Sequence, residues 1–174
     1  MHINRLAASD APRYRSLMLH AYEAAADAFT STPDERAAEP ESWWVKRIAD
    51  PKGLSVSFGA FNSEELVGTV TVEFSAKPKT RHKALIIGMF VLESARGQGI
   101  ARTLVKAALE AAASRPEVLV VTLTASEGNG PALSLYESFG FKAFGIEPLA
   151  INTPQGFISK VHMWLALRSD KTAV

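Results

Sequence analysis

The stretch Val91-Leu92-Glu93-Ser94-Ala95-Arg96-Gly97-Gln98-Gly99-Ile100-Ala101-Arg102 carries the residue types of an anion site. Glycines let a backbone come close to a phosphate, successive N–H groups can point into one concavity, and the positive end of a following helix adds to the attraction. Arg102 and Lys106, one helical turn apart, extend the positive field. Two phosphate-binding designs fail here. A Rossmann fingerprint needs G-x-G-x-x-G, but Arg102 stands in the third glycine's place, and Glu117, the acid about 20 residues on, begins a strand instead of ending one. A P-loop needs G-x-x-x-x-G-K followed by Ser or Thr, and no lysine occupies that place. His2, His20 and His82 are scattered without metal-ligand spacing, so no metal is expected.

Composition narrows the chemistry further. The chain of 174 residues fits one domain. Cysteine is absent, which removes disulfides, thiolate nucleophiles and Cys-ligated zinc, and points to an intracellular compartment. The N-terminus lacks the apolar stretch of a secretory signal, and no apolar run approaches the roughly 18 residues of a membrane span, so a cytoplasmic protein is expected. Nineteen Lys and Arg against eighteen Asp and Glu give a formal charge of +1, too little to drive the chain onto nucleic acid or an anionic bilayer. Any anion site must be local.

The elements that would position the glycine turn follow from the hydrophobic period. After a strand at His2 to Leu6, Asp10 can cap a helix that admits Pro12 and shows Tyr14, Leu17, Met18, Ala21 and Tyr22 on one face. A second helix is predicted from Asp34 through Ile48, with Arg36, Lys46 and Arg47 on an ordinary solvated face. Strands at Leu54 to Phe61 and Leu66 to Phe74 flank the turn Asn62-Ser63-Glu64 as a hairpin. Ala84 to Leu92 reads as a strand buried on both faces. The glycine turn then opens a helix from Ile100 to Ser114, followed by a strand at Val118 to Thr124, a short helix at Pro131 to Phe139 closed by Gly140, and strands at Phe141 to Ile146 and Phe157 to Leu167. The polar tail Arg168 to Val174 reads as frayed.

The turn also matches R-x-x-G-x-A through Arg96, Gly99 and Ala101, a cradle for a pyrophosphate. A second motif, Asn129-Gly130-Pro131-Ala132-Leu133-Ser134-Leu135-Tyr136-Glu137-Ser138-Phe139-Gly140-Phe141, follows at the right distance. Together they resemble the GCN5-related N-acetyltransferase (GNAT) family, whose second motif reads N-x-x-A-x-x-L-Y-x-x-x-G-F. The resemblance covers nearly the whole chain. It implies an α/β (mixed α+β) single domain over residues 1–168 and a disordered tail over 169–174. Helices would flank a central, mostly antiparallel mixed sheet whose two middle parallel strands splay to admit acetyl-CoA.

By the same resemblance, backbone groups of Met89, Phe90 and Val91 face the pantetheine and thioester. The turn Arg96, Gly97, Gln98, Gly99, Ile100, Ala101 and Arg102 holds the pyrophosphate. Asn129 contacts the pantetheine arm, caps a helix, or does both. Tyr136 protonates the departing thiolate. Several relatives carry a glutamate base five residues before the motif asparagine, but Thr124 stands there, so a water ordered by Thr124, with Glu73 as a remote proton acceptor, is expected instead. The acceptor side would include Phe29, in the loop Phe29 to Pro33, and His162 on the last strand; Trp43 and Trp44 read as core or as an apolar wall. The expected activity is acetyl transfer from acetyl-CoA to a primary amine, most simply of a small molecule, by direct attack in a ternary complex, in a monomer or homodimer. Protein N-terminal or lysine acetylation and a non-catalytic acyl-CoA-binding module are the alternatives.

Overall fold

The computed structural model describes residues 1–168; the expected disordered tail lies outside the described residues. The chain runs β1 (His2–Arg5), α1 (Ala11–Ala24), α2 (Pro33–Ala37), α3 (Glu41–Ile48), β2 (Ser55–Asn62), β3 (Glu65–Phe74), β4 (Lys83–Val91), α4 (Ile100–Ala113), β5 (Val120–Ser126), α5 (Gly130–Glu137), β6 (Lys142–Thr153) and β7 (Gly156–Ala166). The strands form one seven-stranded sheet in the order β1-β2-β3-β4-β5-β7-β6. Only β4 and β5 run parallel; every other neighbour is antiparallel.

Two apolar clusters cover the two sides of the sheet. The amphipathic stripe of α4, with Ile100, Leu104, Val105, Ala108 and Ala112 buried, packs against Val70, Val72, Ile86 and Val121. On the other side, Tyr14, Leu17, Met18 and Ala21 of α1 join Trp44 and Ile48 of α3 around Phe61, Leu66 and Phe90. Each large apolar side chain so buried stabilises the fold by about 1.5–3 kcal/mol. Trp44 is fully buried, whereas its neighbour Trp43 is only half-buried and meets it edge-on at 4.9 Å.

Four sequence expectations give way. The helix expected over Asp34 to Ile48 is two helices, because Pro40 removes a backbone N–H and keeps Glu39 out of the helical region, so that Pro40 serves as the cap of α3. Asp10 does not cap α1 with its side chain; its carboxylate accepts from Ala7 N at 2.9 Å and closes the turn before the helix. β6 continues past Ile146 to Thr153, with irregular register around Pro148. Pro148 is tolerated because β6 is an edge strand, where a missing donor breaks no ladder. Arg168, read as part of the frayed tail, donates to the carbonyls of Pro116 and Ala113, both at 2.9 Å.

Candidate active site

The parallel pair holds together for three residues and then opens. Lys83, Ala84 and Leu85 are opposite Val120, Val121 and Thr122, and the pairing goes no further. Beyond this point the strands keep different partners: β4 stays with β3 as far as Val91, and β5 stays with β7 as far as Ser126. A bulge in β4 assists the divergence. Ile87 and Phe90, three apart, face Thr71 and Thr69, two apart, and Gly88 sits in the extra step with φ +61°. Bulges of this kind increase twist and re-aim a strand, and the left-handed φ requires glycine.

The opening leads into a cavity of about 220 Å³. Its walls come from Ile86 to Met89 of β4, Thr124 to Ser126 of β5, and Asn129, Ala132 and Tyr136 at the start and middle of α5. The remaining wall comes from the opposite layer: Met18 and Tyr22 of α1, the loop Ala28 to Ser31, Arg36 of α2 and Arg47 of α3, with Lys160 of β7. Ser126 Oγ donates to the carbonyl of Asp27, which ties the end of β5 to the segment that leads into this loop.

Several expected site residues therefore meet. Tyr136 is 5% exposed, its ring 5.9 Å from Phe141, and burial pushes its phenol up to about 12. The proton therefore stays on the oxygen at neutral pH. Asn129 accepts from Ala132 N at 3.2 Å, so the capping role is observed, and the residue also lines the cavity. Thr124, Met89 and Phe29 line it as well. Phe90 and Val91 turn their side chains into the two cores, and what β4 offers along this stretch is an edge without a β5 partner.

Two expected residues do not join them. Glu73 is paired with Arg47, Nη1 to Oε1 at 2.8 Å, and lines a separate cavity with Trp43 and Phe74. Its carboxylate is held by the guanidinium, away from Thr124. His162, although directly across from Thr124 in the β5–β7 ladder, makes a 2.8 Å contact from Nε2 to Glu147 Oε2, with Phe144 packed at 5.9 Å, and lies outside the cavity wall. Conversely, Arg36 and Arg47, read as a solvated face, and Lys160, not singled out, all reach the cavity. The signal for the arginines was their spacing around Trp43: Arg47 lies one turn beyond it, and both guanidinium groups sit over its ring, at 4.6 and 5.6 Å.

The glycine turn lies beyond β4, at the start of α4. Gly97 and Gly99 take φ +77° and +76°, and a Cβ at either would meet nothing within 4 Å. Their glycine requirement is conformational, and the space in front of them is open. No side chain caps α4, so the N–H groups of its first turn have no partner within the helix. Arg96 bends back, Nε to the Val91 carbonyl at 3.2 Å, and Arg102 is engaged with Ser138 Oγ at 2.9 Å and with the Phe139 ring at 5.2 Å. What the turn presents to the open space in front of it is thus mainly its backbone.

A mixed sheet split between its parallel strands, with an open glycine turn beyond one of them and a buried tyrosine beside the gap, offers a site for an extended ligand that ends in an anionic group. Residues 18–141 match the model of the acetyltransferase (GNAT) family. The chain belongs to that family. It is 26% identical over 102 residues to the L-amino acid N-acetyltransferase AaaT of Escherichia coli K12, a match covering 59% of this chain and 62% of that protein. It is 30% identical over 104 residues to N-alpha-acetyltransferase 30 of Schizosaccharomyces pombe, covering 60% of this chain and 69% of that one. Among solved structures, yncA of Salmonella typhimurium, determined with its cofactor acetyl-CoA, superposes with a TM-score of 0.81 at 17% identity, covering 100% of this chain and 98% of that one. The residues present fit acetyl-CoA: the open turn with its uncapped helix start suits a diphosphate, and the unpaired edge of β4 suits an extended amide chain.

Proposed function

We propose that this protein transfers the acetyl group of acetyl-CoA to the primary amine of a small molecule bound under the loop Ala28 to Ser31. The observation that carries this reading is the cavity itself. It joins the gap between β4 and β5, on the Tyr136 side, to the layer of α1, α2 and α3 on the other, so a thioester and an amine can meet there. In the reaction, the amine nitrogen forms a bond to the thioester carbonyl carbon and the C–S bond breaks. The sulfur leaves with that electron pair and takes a proton from Tyr136 Oη. The proton lost by the amine restores the phenol through solvent.

No Asp, Glu or His side chain lines the cavity among the described residues, so the amine loses its proton without a carboxylate base in contact. Arg36, Arg47 and Lys160 disfavour its ammonium form, since like charges lower the pKa of a neighbouring cation. Thr124, which lines the cavity, orders a water that carries the proton away in this reading. Acetylation of a protein N-terminus is the second reading, favoured by the likeness to N-alpha-acetyltransferase 30; the modest volume of the cavity, about 220 Å³, favours a smaller acceptor.

The test is release of free CoA thiol from acetyl-CoA across a panel of small amines and peptides, with product masses. Acetylation of one or more small amines is expected. Turnover of peptides alone would move the assignment to the second reading, and binding of acetyl-CoA without any transfer would remove the activity.

A further inference from the structure

The acceptor end of the cavity is charged on one side only. Arg36, Arg47 and Lys160 line it, and among the described residues no carboxylate does. The two arginines are fixed by groups outside the wall. Arg36 donates from Nε to Ser31 Oγ at 3.0 Å, its Nη1 lies 3.5 Å from Glu39, and its plane lies over Trp43. Arg47 is engaged with Glu73. Lys160 has no ion-pair partner among the described residues: its cross-strand neighbours are Ser126 and Glu147, and the Glu147 carboxylate contacts His162.

The two arginines are not explained by the phosphates of acetyl-CoA. The open glycine turn begins α4, which packs on one side of the sheet, whereas Arg36 and Arg47 belong to the layer on the other. Glu39 and Glu73, the partners of the two arginines, lie outside the lining, and Lys160 has no ion-pair partner among the described residues, so the cavity itself presents positive charge that attracts an anion and repels a second cation. The apolar part of the same wall, Met18, Tyr22 and Phe29, suits an uncharged side chain. We infer that the acceptor carries a carboxylate beside its amine, bound by Arg36 and Lys160, and that free α-amino acids are therefore the substrate class. Polyamines and aminosugars bring only positive charge, and a peptide N-terminus replaces the carboxylate with a neutral amide. The inference rests on the transferase reading above.

The experiment compares L-methionine, L-phenylalanine and L-leucine with their α-amides, spermidine and a tripeptide, by thiol release from the full chain at saturating acetyl-CoA. The acids are expected to exceed their amides at least tenfold in kcat/KM, chiefly through KM. The amide has the lower amine pKa and so the larger neutral fraction, which weights the comparison against the acids. In Arg36→Gln and Lys160→Met, KM for the acids should rise about 10- to 100-fold, the loss of one charge-assisted hydrogen bond, and the acid-to-amide preference should fall accordingly. Lys160→Arg should recover part of it, and the thermal shift with acetyl-CoA verifies folding of each variant. Amides, spermidine or the tripeptide used as well as the acids, or a preference unmoved by both variants, would overturn the inference. Should no amine be acetylated, the transferase reading fails, and titration of the CoA-bound protein by tryptophan fluorescence decides the inference separately. Acids binding at least tenfold tighter than amides supports it, and equal or no binding overturns it.

Discussion

Tyr136 is held by burial, not by a charged partner: desolvation alone raises its phenol from the ordinary 10.0 to about 12. A phenol that keeps its proton through the neutral range can donate to a sulfur that acquires charge as it leaves. Tyr136→Phe should lower kcat by about 10²-fold, the lower end of general-acid contributions, with KM for acetyl-CoA little altered; steady-state kinetics would show it, and an unchanged kcat would leave the ring a packing role only. The same burial has a consequence for stability. Because the folded state favours the protonated form, its contribution is fully present below about pH 10 and is lost as pH rises from 10 towards 12. Urea midpoints measured across that window should fall for the parent and fall less for Tyr136→Phe, the remaining slope coming from Tyr14 and Tyr22, which burial also raises.

At the scale of elements, two glycines shape the site by conformation. Gly88 gives β4 its bulge, and a Cβ there would stand 3.7 Å from Thr71 Oγ1, an ordinary contact, so the cost of a side chain is strain from the left-handed φ. Gly88→Val should therefore destabilise by about 1–2 kcal/mol in denaturant unfolding and lower kcat/KM at least tenfold, because the strand would no longer diverge from β5 in the same way. Gly99 opens α4, and its surroundings are empty. Gly99→Trp should abolish the stabilisation by acetyl-CoA, which for the parent is about 2.7 kcal/mol at 100 times Kd. An undiminished thermal shift in that variant would place the diphosphate elsewhere.

Across the whole molecule, distant segments fix one another. Arg168, after β7, holds the carbonyl of Ala113 at the end of α4 and that of Pro116 in the turn beyond it, so Arg168→Ala should lower stability by about 1 kcal/mol in urea unfolding without a change in KM for acetyl-CoA. The same scale separates what was legible in the sequence from what was not. Local patterns sufficed for most elements: the hairpin at Asn62 to Glu64, the amphipathic stripe of α4, the glycine turn and the motif from Asn129 to Phe141 each depend on neighbours in sequence, where period and backbone preference act directly. They carried the resemblance to the family, and through it the expectation of a splayed parallel pair with Tyr136 near it. They could not determine which charges share a cavity. Glu73 sits with Arg47 instead of facing Thr124, and His162 sits with Glu147, because those contacts join residues 26 and 15 positions apart. Arg36, Arg47 and Lys160 meet only after two layers and a sheet have closed around a gap, and such convergence is a property of packing that no local period encodes.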